Sequence, residues 1–260
     1  ADIETAYFGT EEETGWHSVR SFYETESKGK VYIEGTVSDW YSVDKASTNF
    51  SDEDTFNLVN KAKTWYFNNN PSDHPRNYDG DGNGYMDGIM LIYAAPNYAY
   101  NSGISNTNLW AYAYWLQSNS VPNPTKPIAN SYFWASYDFM YNSTKANQRA
   151  GTSYHGGDTS NCDVDAHTYI HEMGHIFGLD DYYDYGNGGY SPAGGFSMQD
   201  YNVGGHDPFS VMSLGWANPY IPTESCKLEI GAFQETHDLI LLTPEWNETD
   251  SAFYEYLLLE

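Results

Sequence analysis

One segment, His171-Glu172-Met173-Gly174-His175-Ile176-Phe177-Gly178-Leu179-Asp180-Asp181, limits the folds open to this chain more than any other. Ala166, Ile170, Met173 and Phe177 recur at spacings of four, three and four, which is the apolar face of a helix laid on a core. Asp165 is suited to cap its start. His171 and His175 share another face one turn apart, so both rings can reach one ion. Gly178 is expected to end the helix in the left-handed conformation and let the chain turn back, bringing Asp181 to the same point. Two imidazoles and a carboxylate suit zinc, and three protein ligands leave a fourth position open, as catalytic sites do and structural ones do not. Glu172 is rotated off the histidine line, where its carboxylate would meet water in that position as a general base. Asp180 and Asp184 are rival third ligands, since so short a turn can present a neighbour instead. Zinc hydrolases that take a downstream glutamate as third ligand are disfavoured, because no Glu lies between Glu172 and Glu224.

A second motif is acidic. Asp79-Gly80-Asp81-Gly82-Asn83-Gly84-Tyr85-Met86-Asp87 places oxygen side chains at positions one, three, five and nine and glycine at six. A hard cation takes about six to eight oxygens. Asp79, Asp81, Asn83, the Tyr85 carbonyl and Asp87 supply most of these, so structural calcium is expected. Position twelve is Met90 and not the bidentate Glu of an EF-hand, so paired helices are not expected around the loop.

The remaining chain is expected to be an α+β domain carrying these motifs. Residues 51–67 form a helix with Leu58, Val59, Ala62, Trp65 and Tyr66 on one side and a Ser51/Asp54 cap. Residues 31–37 alternate like a strand, and 89–93 (Ile-Met-Leu-Ile-Tyr) reads as a buried, central one. The aromatic stretches 109–116 and 131–140 are strand-like, and one of them is expected to edge the cleft. After Trp216 the apolar runs 227–230, 238–242 and 253–259 suggest a β-rich extension. The parse is a catalytic domain over 1–216 and an extension over 217–260, whose last residues stop mid-pattern, so the natural chain is expected to continue. With 36 acidic against 11 basic residues, the net charge of −25 repels phosphate backbones and argues against nucleic acid as a partner. No run approaches the roughly 18 apolar residues of a membrane span. Two cysteines, Cys162 and Cys226, allow one bridge or two free thiols.

These residues resemble a known group. HExxHxxGxxD is similar to a metzincin motif with Asp in place of the third His, and it resembles in particular the immune inhibitor A family of bacterial metallopeptidases. The segment 194–200 (Gly-Gly-Phe-Ser-Met-Gln-Asp) resembles that family's Met-turn, and Asp207-Pro208-Phe209 with Leu214-Gly215-Trp216 resembles the helix that follows it. Residues 78–93 resemble its acidic loop and central strand, whereas Asp180 stands where the family usually has proline and 117–162 shows no shared motif. The resemblance implies a metzincin-like catalytic domain: a twisted mixed sheet, a backing helix, an active-site helix, the Met-turn and a C-terminal helix. It also implies a secreted zinc endopeptidase acting on proteins or peptides, with Met198 beneath the metal and Tyr201 as an oxyanion-stabilising tyrosine. Its rivals are a non-catalytic binding or adhesion module that keeps the metals for stability, and a zinc hydrolase of a non-peptide amide.

Other residues read as structural. His167 precedes His171 by one turn, which puts it about 6 Å further from the metal. His206 is expected in a loop or cap, and nothing in the spacing of Cys162 points to zinc.

Overall fold

The computed structural model describes residues 1–97, 108–116, 120–141, 164–186, 188, 190, 192–244 and 255–260, with Asp52 described by its backbone only. Its helices are α1 (Asp2–Phe8), α2 (Glu11–Thr14), α3 (Val19–Glu26), α4 (Asp52–Asn69), α5 (His167–Ile176), α6 (Met198–Tyr201), α7 (Pro208–Ser213) and α8 (Phe233–Thr236). The strands are β1 (Ile89–Tyr93), β2 (Tyr112–Trp115), β3 (Ser131–Ser136), β4 (Ile240–Leu242) and β5 (Leu257–Leu259).

A mixed sheet in the order β1-β3-β2 organises the core, with β1 parallel and β2 antiparallel to β3. The central strand is therefore β3, not the expected 89–93. All six residues of β3 are buried. Side chains alternate across a pleat, so β3 splits its residues between two layers. Phe133 and Ala135 enter the cluster formed with Ile170, Met173 and Tyr169 of α5, joined by Phe22 and Tyr23 of α3. Tyr132 and Trp134 face the other way, against Phe50 and the α4 residues Leu58 and Val59. A strand buried on both faces is the natural centre of such a sandwich. β1 follows the same rule, with Met90 and Ile92 toward the first layer and Ile89 and Leu91 toward the second.

α4 fulfils the expectation for 51–67, and its start is held as anticipated: Asp54 reaches back to accept the Ser51 N–H at 2.8 Å. Other expectations fail for identifiable reasons. Residues 31–37 form no strand; Val31 and Ile33 pack inward while Tyr32 and Val37 stay exposed, so alternation is satisfied by an extended segment without a ladder. The stretch 131–140 leaves the sheet at Ser136 and winds into a 3-10 turn over Tyr137–Tyr141. Residues 227–230 are not a strand, whereas the runs at 238–242 and 253–259 contribute β4 and β5, which pair antiparallel. Phe233 and Leu239 join the same apolar cluster as α5. No helix among the described residues is long and apolar enough to cross a membrane.

Candidate metal centre

α5 is pinned to the core before its histidines are placed. The Tyr169 hydroxyl donates to the Ser136 carbonyl at the end of β3 (2.8 Å), and the Tyr23 hydroxyl of α3 donates to the Ile170 carbonyl (2.7 Å). The helix starts one residue later than the sequence suggests, with Ala166 as its cap residue. Asp165 still serves the first turn, its Oδ1 accepting the His167 N–H at 3.0 Å. At the other end Gly178 has φ +98°. Its N–H reaches the His175 carbonyl and the Leu179 N–H reaches the Gly174 carbonyl, the paired bonds of a Schellman turn. The reversal delivers Asp181 to the two histidines.

There three atoms converge. His171 Nε2 lies 2.8 Å from Asp181 Oδ1 and 3.1 Å from His175 Nε2, and His175 Nε2 lies 3.3 Å from the same Oδ1. The opposite ring nitrogens are both occupied: His171 Nδ1 donates to the Met198 carbonyl (2.8 Å) and His175 Nδ1 to the Leu179 carbonyl (2.7 Å). Each Nδ1 thus holds the proton of a neutral ring, and each Nε2 turns its lone pair toward the carboxylate. Two imidazole lone pairs and a carboxylate oxygen facing one point repel unless a positive charge lies between them. The arrangement therefore fits a metal ion, and His171, His175 and Asp181 are the residues that could hold it.

The electrostatics show the same demand for positive charge at this point, which a proton on His175 meets where no ion does. Burial disfavours a charged His175 ring, yet the Asp181 hydrogen bond and nearby negative charge outweigh it and raise the ring to about 9. Burial works against ionised Asp181 as well, yet the two histidines and Tyr185 hold its carboxyl well below the usual range. Glu172 is buried and its Oε2 has no hydrogen-bond partner. Burial pushes it up to about 7, opposed by the fields of His171 and His175 and reinforced by Asp181. A buried carboxyl with an unspent oxygen is costly to keep unless the site uses it.

The segment after the turn closes over the centre. Met198 is fully buried, and its backbone carbonyl orients His171. Gly174 permits close approach of α6: a Cβ there would stand 2.3 Å from Gln199 Oε1. Gln199 Nε2 donates to the His171 carbonyl at 3.3 Å, a support the sequence did not announce. Ser197 and Ser210 both donate to Asp207 Oδ2, at 2.6 and 2.8 Å, tying the turn to α7. Tyr201 is 58% exposed at the end of α6. A tyrosine outside the sequence reading, Tyr185, bonds the ligand set: its hydroxyl donates to Asp181 Oδ2. Its only sequence signal is proximity, four residues past the ligand. Of the rival ligands, Asp184 accepts the N–H groups of Gly186 and Gly188, and neither it nor Asp180 belongs to the convergent group.

The acidic loop brings Asp79, Asp81 and Asp87 together as a second possible cation group. Backbone N–H groups orient the oxygens: Asn83 and Gly84 donate to Asp79 and Gly80 to Asp87, at 2.9–3.0 Å. The side chain of Asn83 is engaged too, its Nδ2 donating to Asp81 and its Oδ1 accepting the Tyr85 N–H, both at 2.8 Å. Burial raises the Asp87 carboxyl, and the neighbouring Asp81 and Asp79 add to that against the Gly80 hydrogen bond. Gly84 has φ +88° and no room for a side chain, since a Cβ would lie 2.4 Å from the Asn123 nitrogen. The Tyr85–Ile128 bridge then joins the loop to the chain leading into β3.

His167 is buried against the Trp16 ring, 4.3 Å between centroids, with Nδ1 2.5 Å from Asp165. His206 lies in the loop just before the Asp207 cap of α7, as expected, but it does not face solvent. It is buried among Phe22, Tyr23 and Trp216, and burial pushes its ring down to about 4. Cys226 is exposed and unbridged, while Cys162 lies outside the described residues. Comparison with protein-family models and with curated proteins returned no match.

Proposed function

We propose that this chain is a secreted zinc-dependent endopeptidase, metzincin-like and akin to the immune inhibitor A metallopeptidases, with calcium as a structural ion in the acidic loop. The observation that carries the reading is the meeting of His171 Nε2, His175 Nε2 and Asp181 Oδ1, with both Nδ1 protons spent on carbonyls, beside the unpartnered Glu172 oxygen. Zinc held by those three atoms would supply a Lewis acid for a water molecule and a peptide carbonyl at its open position. Glu172 takes the proton of the attacking water and returns it to the departing amine, so a single carboxylate serves as base and then acid. Met198 and Leu179 keep the histidines in the ligating tautomer through their carbonyls. β2 supports the peptide assignment. Among the described residues it is the outer strand next to β3, with Tyr114 and Trp115 exposed, and an extended peptide can add to such an edge by main-chain hydrogen bonds.

The test is hydrolysis of unfolded casein by the wild type and by Glu172→Gln, with zinc quantified in both. Cleavage by the wild type only, with about one zinc per chain in each protein, is the expected outcome. Zinc without cleavage of any protein substrate would favour a binding module, and absence of zinc would remove the basis of the assignment.

A further inference from the structure

The ligand carboxylate has two oxygens, and the structure gives them different company. Asp181 Oδ1 faces both histidine Nε2 atoms, at 2.8 and 3.3 Å. Oδ2 accepts the hydroxyl of Tyr185. Tyr185 is itself 72% exposed, so core packing does not explain its placement over this carboxylate. Its ring leans on the half-buried Tyr183, centroids 5.1 Å apart and nearly perpendicular, which limits where the phenol can swing. A carboxylate free to rotate can offer a small cation both oxygens; one whose outer oxygen accepts a phenolic proton offers the inner oxygen and is held in plane.

Resting on the metal-centre reading above, we propose that Tyr185 is a positioning residue: its hydrogen bond to Oδ2 restricts Asp181 to ligation through Oδ1 and so keeps the fourth position open to water and substrate. Tyr183 supports the Tyr185 ring in that pose. Tyr185 acts on the ligand, a duty separate from the oxyanion stabilisation that the resemblance implies for Tyr201. Tyr185→Phe deletes one oxygen from an exposed side chain, so the variant is expected to fold.

The experiment loads wild type, Tyr185→Phe and, as an exposed tyrosine outside the centre, Tyr220→Phe with cobalt(II) and records the visible ligand-field spectrum, with zinc affinity from chelator competition. The expected result is a wild-type spectrum of four-coordinate type. Tyr185→Phe should show the weaker bands of a site that has gained an oxygen, with zinc held about 10- to 100-fold less tightly, and Tyr220→Phe should match the wild type. Casein hydrolysis by Tyr185→Phe should lose kcat with little change in KM. If Tyr185→Phe keeps the wild-type spectrum and affinity, the positioning role is wrong while the metal centre stands. If the wild type takes up neither cobalt nor zinc, the metal centre itself is wrong and the inference falls with it.

Discussion

Two positions, Gly174 and His206, show what single residues decide in and around this site. Gly174 lies within α5, where alanine would ordinarily gain about 1 kcal/mol. Here a Cβ would displace the buried Gln199 amide and break its bond to the His171 carbonyl. Gly174→Ala should therefore destabilise the protein by about 1–3 kcal/mol in denaturant titration, and the double variant with Gln199→Ala should recover part of that loss. His206 is a buried ring kept neutral, its value pushed down to about 4 from an ordinary 6.5. Asp207 opposes that shift, and His171 adds to it. Because the unfolded chain binds this proton more readily, its contribution is complete above about pH 6.5 and is lost as pH falls toward 4, up to ~3 kcal/mol. Release in acid of an ion held by the candidate centre would steepen the same limb, so the measurement is a difference. His206→Leu should lose less stability than the wild type between pH 6.5 and 4.5, and equal slopes would refute the assignment.

Among the elements, the acidic loop separates cleanly from the metal centre. It precedes β1, and its far side is bridged to the chain entering β3, so ordering it helps hold two neighbouring strands. A cation at about a hundred times its dissociation constant stabilises the folded state by about 2.7 kcal/mol. For a domain of this size that is a shift of several degrees. A calcium-selective chelator should lower Tm by roughly 5–10 °C at unchanged zinc content, and Asp81→Asn should abolish that response. A chelator that leaves Tm unmoved would reduce the loop to a hydrogen-bonded turn.

At the scale of the whole molecule the net charge of −25 has to be carried by a fold whose two apolar layers share one sheet. Self-repulsion among carboxylates destabilises the compact state, and the screening length shortens from about 30 Å at 0.01 M salt to about 10 Å at 0.1 M. Thermal stability is expected to rise with sodium chloride over that range at fixed calcium and zinc. A flat or falling Tm would mean that the surface charges are compensated locally.

The local chemistry of the centre was legible in the chain because it is local. HExxH on a helix, Gly178 past its end and an aspartate three residues on depend on helical pitch and one left-handed residue, and the structure has all of these in place. The helix 51–67 and the loop 79–87 were readable for the same reason, since capping and turn geometry act over a few residues. Strand roles were not. Periodicity reports which side chains go inward but not which neighbour supplies the hydrogen bonds, so 31–37 alternates without a partner and β3, not β1, takes the centre. The Met198 carbonyl that orients His171, the Gln199 support and Tyr185 over Asp181 come from segments separated from the helix by turns. Their approach depends on how α6 and the loop pack back onto α5, which only tertiary contacts decide.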